Sequence, residues 1–288
     1  MPDQPLSIGT STSAATVQDR PKGVVAPAQA RRMFRMERYL PPPALAPFLD
    51  HVWVVEWDLG DKPPHVQRTL PYPCVHVVFD SARSGVWGVP TGAFDYELKG
   101  AGKVCGLRFR AGAFRALLKR PLHTITDQVL ALSDVFPWDD AAAQHAVLAC
   151  ADDAGMMDAA AQLLAPLLPA PLLLAPDPHV ERIGAILKAV ESTPGLTQVE
   201  ELAAVAGMGV RSLQQLFSEY VGVSPKWTIR RFRLHEAADR LAGGDEPDLA
   251  ALAQRLGYFD QAHFTSDFRK LVGQTPAQYR QRERAAGA

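Results

Sequence analysis

The chain has 288 residues, room for two compact domains, and its composition of 47% hydrophobic and 21% charged residues is that of a globular protein. A net charge of −1 gives no general electrostatic pull toward nucleic acid, and the longest apolar stretch, 163–175, is broken by Pro166, Pro169 and Pro171, which excludes a membrane span. Three cysteines (Cys74, Cys105, Cys150) without a C-x-x-C pair exclude a disulfide framework and a four-cysteine zinc site, and with no secretory leader expected they suit the cytoplasm.

Residues 1–35 are rich in Ser, Thr, Ala, Pro and Gln without periodicity and read as a disordered leader. From 37 to 120 the pattern turns to short β-branched and aromatic runs. These are His51 to Trp57, Val75 to Phe79, Val86 to Val89, Phe94 to Leu98 and Val104 to Phe109. Turn residues separate them, among them Gly60-Asp61, Ser84-Gly85 and Thr91-Gly92, so a small barrel or sandwich is expected. A helix is predicted over 111–118, and Ala/Leu-rich helices over 139–164 and 179–190. The Pro-rich stretch around 167–178 reads as a semi-rigid linker. The domains predicted are therefore 36–175, β-rich with a helical extension, and an all-α domain over 176–288.

The last hundred residues repeat themselves. Val199, Leu202, Ala203 and Gly207 return fifty residues on as Leu249, Leu252, Ala253 and Gly257. Leu213, Phe217, Gly222, Ser224 and Pro225 return fifty-one on as Phe264, Phe268, Gly273, Thr275 and Pro276. The one-residue slip falls just after Gly207 and Gly257, where a helix-turn-helix has its turn and tolerates a length change. In copy one, Thr197 and Glu200 have capping-box spacing; in copy two, Asp248 and Asp260 are N-cap residues. Gly207 and Gly257 stop the first helix of each copy, and Ser224-Pro225 opens a connecting helix to about Leu241.

On the second helix of each copy the apolar residues fall at spacings of three and four, leaving a polar face. In copy one that face holds Arg211, Ser212, Gln214, Gln215 and Ser218; in copy two it holds Gln261, Ala262, Thr265, Ser266 and Arg269. Arg can donate two bonds to guanine and Gln can pair bidentately with adenine, while hydroxyls and helix N-termini hold phosphates. Eleven basic side chains against eight acidic ones from Lys226 onward give this segment a weak positive balance.

With Gly257-Tyr258, Phe264, Phe268-Arg269, Gly273, Thr275-Pro276 and Tyr279-Arg280 in the second copy, and Leu202, Ala203, Ala206, Gly207, Met208, Arg211, Leu213 and Phe217 in the first, the segment from His179 to Arg280 resembles the DNA-binding domain of the AraC/XylS regulators. The resemblance implies two helix-turn-helix units joined by a long helix, and base contacts from Arg211, Gln214 and Gln215 and from Gln261, Ala262 and Ser266. More weakly, the stretches around Leu70-Pro71, Cys74 to Phe79 and Gly106 to Phe109 resemble the cupin-like sensory half of such proteins. The fold expected is thus α+β: a small cupin-like β-barrel, a helical linker and an all-α C-terminal domain.

The implied partners are double-stranded DNA, a small-molecule effector, RNA polymerase and a second copy of the chain; no cofactor is expected. Candidate effector residues are Trp53, Trp57, Tyr72, His76, Trp87 and Arg108, with the barrel core as the alternative role for Trp53 and Trp57, as for Phe79. Cys74 reads as buried and inert. Two other readings stay open. One is a cupin-type metal enzyme or metallosensor using His51, His65, His76 and Cys74, whose spacing matches no metal motif. The other is non-specific architectural DNA binding. An apolar stripe over 141–168, with Val147, Leu148, Met156, Leu163 and Leu167, either covers the domain's own core or offers a dimer surface.

Overall fold

A computed structural model describes residues 15–17, 23–169, 177–193, 195–243 and 248–287. The order of elements is α1 (Pro27–Met33), β1 (Arg35–Tyr39), β2 (Leu49–Asp58), β3 (His65–Thr69), β4 (His76–Asp80), β5 (Gly85–Trp87), β6 (Phe94–Leu98), β7 (Ala101–Phe109), α2 (Arg115–Leu118), β8 (Val129–Leu130), α3 (Asp140–Leu148) and α4 (Asp153–Leu164). The C-terminal half adds α5 (Pro178–Ser192), α6 (Val199–Val205), α7 (Val210–Tyr220), α8 (Pro225–Gly243), α9 (Leu249–Arg255), α10 (Gln261–Val272) and α11 (Pro276–Gly287). The architecture is α+β, a sheet domain followed by a helical one. No helix among the described residues is long and apolar enough to cross a membrane.

Among the described residues the sheet does not form the closed ring expected from the strand pattern. Six antiparallel strands lie in the order β1-β2-β7-β4-β5-β8, and β3 and β6 form a separate two-stranded sheet. Closure would need β1 to pair with β8, but β8 is only two residues long and pairs with β5. Period-two alternation gives the large sheet two different faces. One carries Val52, Val54, Val77, Phe79, Val86, Cys105 and Leu107, buried together beneath α3 and α4. The other carries Trp57, Val78 and Val104 with Trp53 and Trp87, beside Tyr96 and Leu98 of the small sheet.

Three further expectations are corrected, and of the two roles left open for the apolar stripe the core-covering one has support. The segment expected as a leader is partly ordered. Val25 donates to Arg68 O at 3.1 Å, Leu70 donates to Gly23 O at 2.7 Å, and α1 buries Ala30. Its low hydrophobicity hid the two anchors, Val25 and Ala30; residues 1–14 and 18–22 lie outside the described residues. The helix predicted over 139–164 is broken at Cys150–Asp152, because Asp152 accepts a bond from Gly155 N (2.8 Å) and starts α4 afresh. The helix predicted over 111–118 shrinks to the four residues of α2. The apolar stripe of α3 and α4 faces inward: Val147 and Met156 are buried, and Leu148, Leu163 and Leu167 pack against the same core. The central part of the predicted linker, 170–176, lies outside the described residues.

The two halves are packed on one another through α8. Arg231 donates to Thr91 O (2.6 Å) and stacks over Trp227 (4.6 Å), whose Nε1 also reaches Thr91 O at 3.1 Å. Burial, with Arg230 adjacent, pulls the Arg231 pKa down to about 10. His235 meets Pro71 O at 3.2 Å, and Val25 and Leu70 of the sheet domain join the core of the second helix-turn-helix. A helix whose buried residues include Thr228, Arg231 and His235 as well as Ile229 and Phe232 is enclosed on more than one side.

Candidate nucleic-acid interface

The C-terminal domain is two small cores, one per helix-turn-helix. Ile183, Leu202, Leu213, Leu216, Phe217 and Ile229 build the first; Leu241, Leu252, Phe264, Phe268, Leu271 and Tyr279 build the second. Each core uses the apolar side of its second helix and turns the opposite side out. On α7, Arg211, Ser212, Gln214 and Gln215 are exposed and Ser218 is half-buried. On α10, Gln261, Ala262, Ser266 and Arg269 are exposed and Thr265 is half-buried. The structure therefore brings the predicted residues together as two outward faces, one per unit. Around α10, the side chains of Gln261, Ala262, Thr265, Ser266, Arg269, Lys270 and Thr275 line an open hollow of about 830 Å³.

Local chemistry starts and stops these helices. Asp260 accepts from His263 N at 2.7 Å and caps α10, and Asp248 accepts from Ala250 N at 2.9 Å and caps α9. Such caps are each worth about 1 kcal/mol over Ala. In copy one the capping carboxylate is Glu201, not Glu200: its Oε2 accepts from Thr197 N and Gln198 N, both at 3.0 Å. The helix begins one residue later than the Thr197 spacing suggested. Gly209 precedes α7 without a side-chain cap. Arg230 of α8 donates to buried Asp267 of α10 at 2.6 Å, which fixes α10 against the connector. The two units also touch directly. Gly257 holds φ +79°, and any side chain there would collide with Thr197 of the first unit. Phe259, in the turn before α10, is 94% exposed; sequence pattern alone had assigned it no role.

In the sheet domain, all the candidate effector residues except Tyr72 lie on the face turned toward the small sheet. His51, Arg108, His76 and Trp87 are cross-strand neighbours in one row over β2, β7, β4 and β5. Trp53 lies flat over Gly106, where any side chain would collide with it, and donates to His76 Nδ1 at 3.1 Å. Tyr72, in the loop before β4, lies under the Arg108 guanidinium at 4.1 Å. Trp57 is set apart: it is buried, donates to Lys99 O (3.0 Å) and packs on Tyr96, so it serves the core. Among the described residues, two donors in the row lack hydrogen bonds, Trp87 Nε1 and Arg108 Nε, although Asp50 Oδ2 stands 3.4 Å from the latter.

The charges of this row follow from its burial. Burial pulls the His76 pKa down to about 3, with Arg108 adding to the effect, and burial also lowers that of His51. Asp50 is held near 2, the bond from His51 and the charge of Arg108 outweighing its own desolvation. Pairing of β7 with β4 brings Arg108 beside Cys74, a neighbour that linear spacing hid; burial nevertheless pushes the Cys74 thiol up, away from the reactive thiolate. His65 does not join the row; it faces Gln67 at 3.4 Å. Among the described residues, no three His, Cys, Asp or Glu side chains converge as metal ligands.

Residues 202–282 match a helix-turn-helix domain family, and residues 37–131 match a domain of unknown function (DUF6597). The chain is 33% identical over 104 residues to the RCS-specific HTH-type transcriptional activator RclR of Escherichia coli (strain K12), 36% of each chain. It is 29% identical over 132 residues to the probable transcriptional regulator LumQ of Photobacterium leiognathi, 45% of this chain and 53% of that one. The similarity to the activator RhaR of Yersinia pseudotuberculosis is 31% over 106 residues, again 36% of each. The chain thus spans about a third to a half of the length of these relatives. Among solved structures, the AdpA DNA-binding domain in complex with a target DNA is 29% identical, covering 38% of this chain and 95% of that one, with a TM-score of 0.32. An AraC-type regulator from Chromobacterium violaceum is 21% identical, covering 36% and 92%, with a TM-score of 0.33. Both scores are too low to establish a shared overall arrangement. Residues 202–282 thus form a helix-turn-helix domain, and over this C-terminal part the chain is similar to HTH-type transcriptional regulators.

Proposed function

We propose that the protein is a sequence-specific DNA-binding transcription regulator that reads two neighbouring major grooves with α7 and α10. The observation that carries this reading is the equivalence of two outward polar faces, Arg211–Gln215 and Gln261–Arg269, on helices whose other sides are wholly spent on core packing. Successive major grooves on one side of B-DNA lie about 34 Å apart, and a stiff connector suits that fixed interval. Arg211, Gln214 and Gln215 would read one half-site, and Gln261, Ala262 and Ser266 the other. Ser212, Thr265 and Arg269 would contact phosphates.

The sheet domain is, in this reading, the sensory half, akin to cupin-like domains. Its ligand would lie over the row of His51, Arg108, His76 and Trp87, where Arg108 and Trp87 present donors without hydrogen bonds. Tyr72 then relays occupancy to α8, because it touches both Arg108 and Phe232. Contacts with RNA polymerase and with a second copy of the chain belong to the same reading. The test is selection of duplexes from a random-sequence pool by the full chain. The expected result is enrichment of a bipartite site with half-sites about one helical turn apart. Recovery of unenriched DNA, with binding that any competitor duplex abolishes, would leave only phosphate attraction.

A further inference from the structure

The sheet domain closes on the C-terminal end of α7 at several points. Arg115 places Nη2 3.0 Å from Glu219 Oε1. His123 places Nδ1 3.2 Å from Ser218 Oγ and 3.3 Å from Ser218 O, and Thr126 donates to Gly222 O at 2.6 Å. Ser218 continues the stripe that begins with Arg211 and Gln215, since residues three, four and seven apart share a helix face. Glu219 lies on its other margin. The reading face of α7 therefore runs directly into a surface of the other domain.

Between the two anchors Arg115 and His123 stand Lys119 and Arg120. Both are exposed, and neither enters an ion pair among the described residues. They share a shallow hollow with Asp134, whose carboxylate is engaged by Ala131 N at 3.1 Å. Lys119 adopts φ +58° at the end of α2, a left-handed conformation that suits glycine and strains a side-chain-bearing residue. A long cationic side chain thus occupies a backbone position that favours no side chain at all, in the segment between two residues that touch the C-terminal end of α7. Strain of this kind concentrates at binding sites.

We propose that Lys119 and Arg120 form a phosphate contact contributed by the sheet domain. They grip the DNA backbone bordering the groove that α7 reads. The proposal rests on α7 being a reading helix and extends the interface beyond the helix-turn-helix units. Such a contact adds affinity without sequence preference, and it lets any movement of the sheet domain alter DNA binding directly.

The test compares the full chain, the double variant Lys119→Ala/Arg120→Ala and the charge-retaining swap Lys119→Arg/Arg120→Lys. The probe is a fluorescein-labelled duplex that the wild-type chain has selected from a random pool. Each phosphate contact contributes about 0.9 to the slope of log affinity against log salt. The alanine variant is expected to lower that slope by one to two and to weaken binding about five- to fifty-fold near 0.15 M salt. The preferred sequence should not change, and the swap should restore wild-type behaviour. An unchanged slope and affinity overturns the proposal, as does tighter binding by the alanine variant, which would make this edge an obstruction. Arg211→Ala separates the two levels. A loss of sequence preference there beside an unaltered Lys119/Arg120 variant overturns the phosphate contact alone. Wild-type preference retained by Arg211→Ala overturns the reading of α7 and this contact with it.

Discussion

Tyr72 of the sheet domain and Phe232 of α8 meet edge to face, with ring centroids 5.0 Å apart. Tyr72 also lies beneath the Arg108 guanidinium and faces His235, so one half-buried ring joins the candidate ligand site to the connecting helix. An aromatic pair of this kind contributes about 0.5–1.5 kcal/mol beyond burial. Tyr72→Ala is expected to cost roughly 2 kcal/mol, chiefly at the domain boundary. Urea unfolding followed by tryptophan fluorescence and by far-ultraviolet dichroism should then separate into two transitions. Coincident curves at wild-type midpoint would show that the ring couples nothing.

The second reading helix gives a sharper test. Gln261 and Ser266 are exposed on α10, and neither supports a core contact. The double variant Gln261→Ala/Ser266→Ala should keep its melting temperature and lose about 1–3 kcal/mol per good base contact, confined to one half-site. A selected-site logo identical to wild type would remove these side chains from the interface.

Phe268 lies on the opposite side of the same helix, fully buried between Phe264 and Tyr279 at 5.7 and 5.6 Å. Phe268→Ala should cost about 3–5 kcal/mol, because both the transfer of the ring and the cavity left behind count against folding. Thermal melting checks this. The two substitutions should behave oppositely, one sparing stability and changing recognition, the other collapsing the unit.

His76 sets a pH dependence. Its folded pKa is near 3, against an unfolded value of 6.5. As pH falls from neutral, the unfolded chain takes up the proton first. Stability is therefore intact above pH 6.5 and declines through the window from 6.5 to 3, by a few kcal/mol on the order expected for such a shift. His51 acts in the same direction, and Asp50 adds a further loss between its ordinary value of 3.8 and about 2. His76→Gln should flatten the decline between pH 6 and 4 in chemical denaturation. A wild-type slope in that variant would place the acid sensitivity elsewhere.

Much of the C-terminal domain was legible because repetition compares two solutions to one packing problem. Wherever Leu213 and Phe217 recur as Phe264 and Phe268, burial follows, and the polar face is what remains. The sheet domain was harder. Strands β2, β6 and β7 stood out by β-branched and aromatic residues, but β1 (Arg35–Tyr39) and β3 (His65–Thr69) carry charged and polar side chains and gave no such signal. The pairing of Arg108 with His76, which assembles the candidate ligand row, is a product of strand order that local spacing does not encode. Capping was readable to within one residue: the carboxylate was correctly placed in the first turn of α6, yet Glu201 rather than Glu200 takes the bonds.

The abutment of Thr197 on Gly257 has a consequence for the operator. On the function proposed above, α7 and α10 are reading heads braced both by α8 and by the contact between their units, a calliper locked at one opening. Inserting a single base pair between half-sites turns the far one by roughly 35° about the duplex axis. A jointed protein would swivel to follow; this one must leave half of its target unread, so tolerance of spacing should be as narrow as tolerance of sequence.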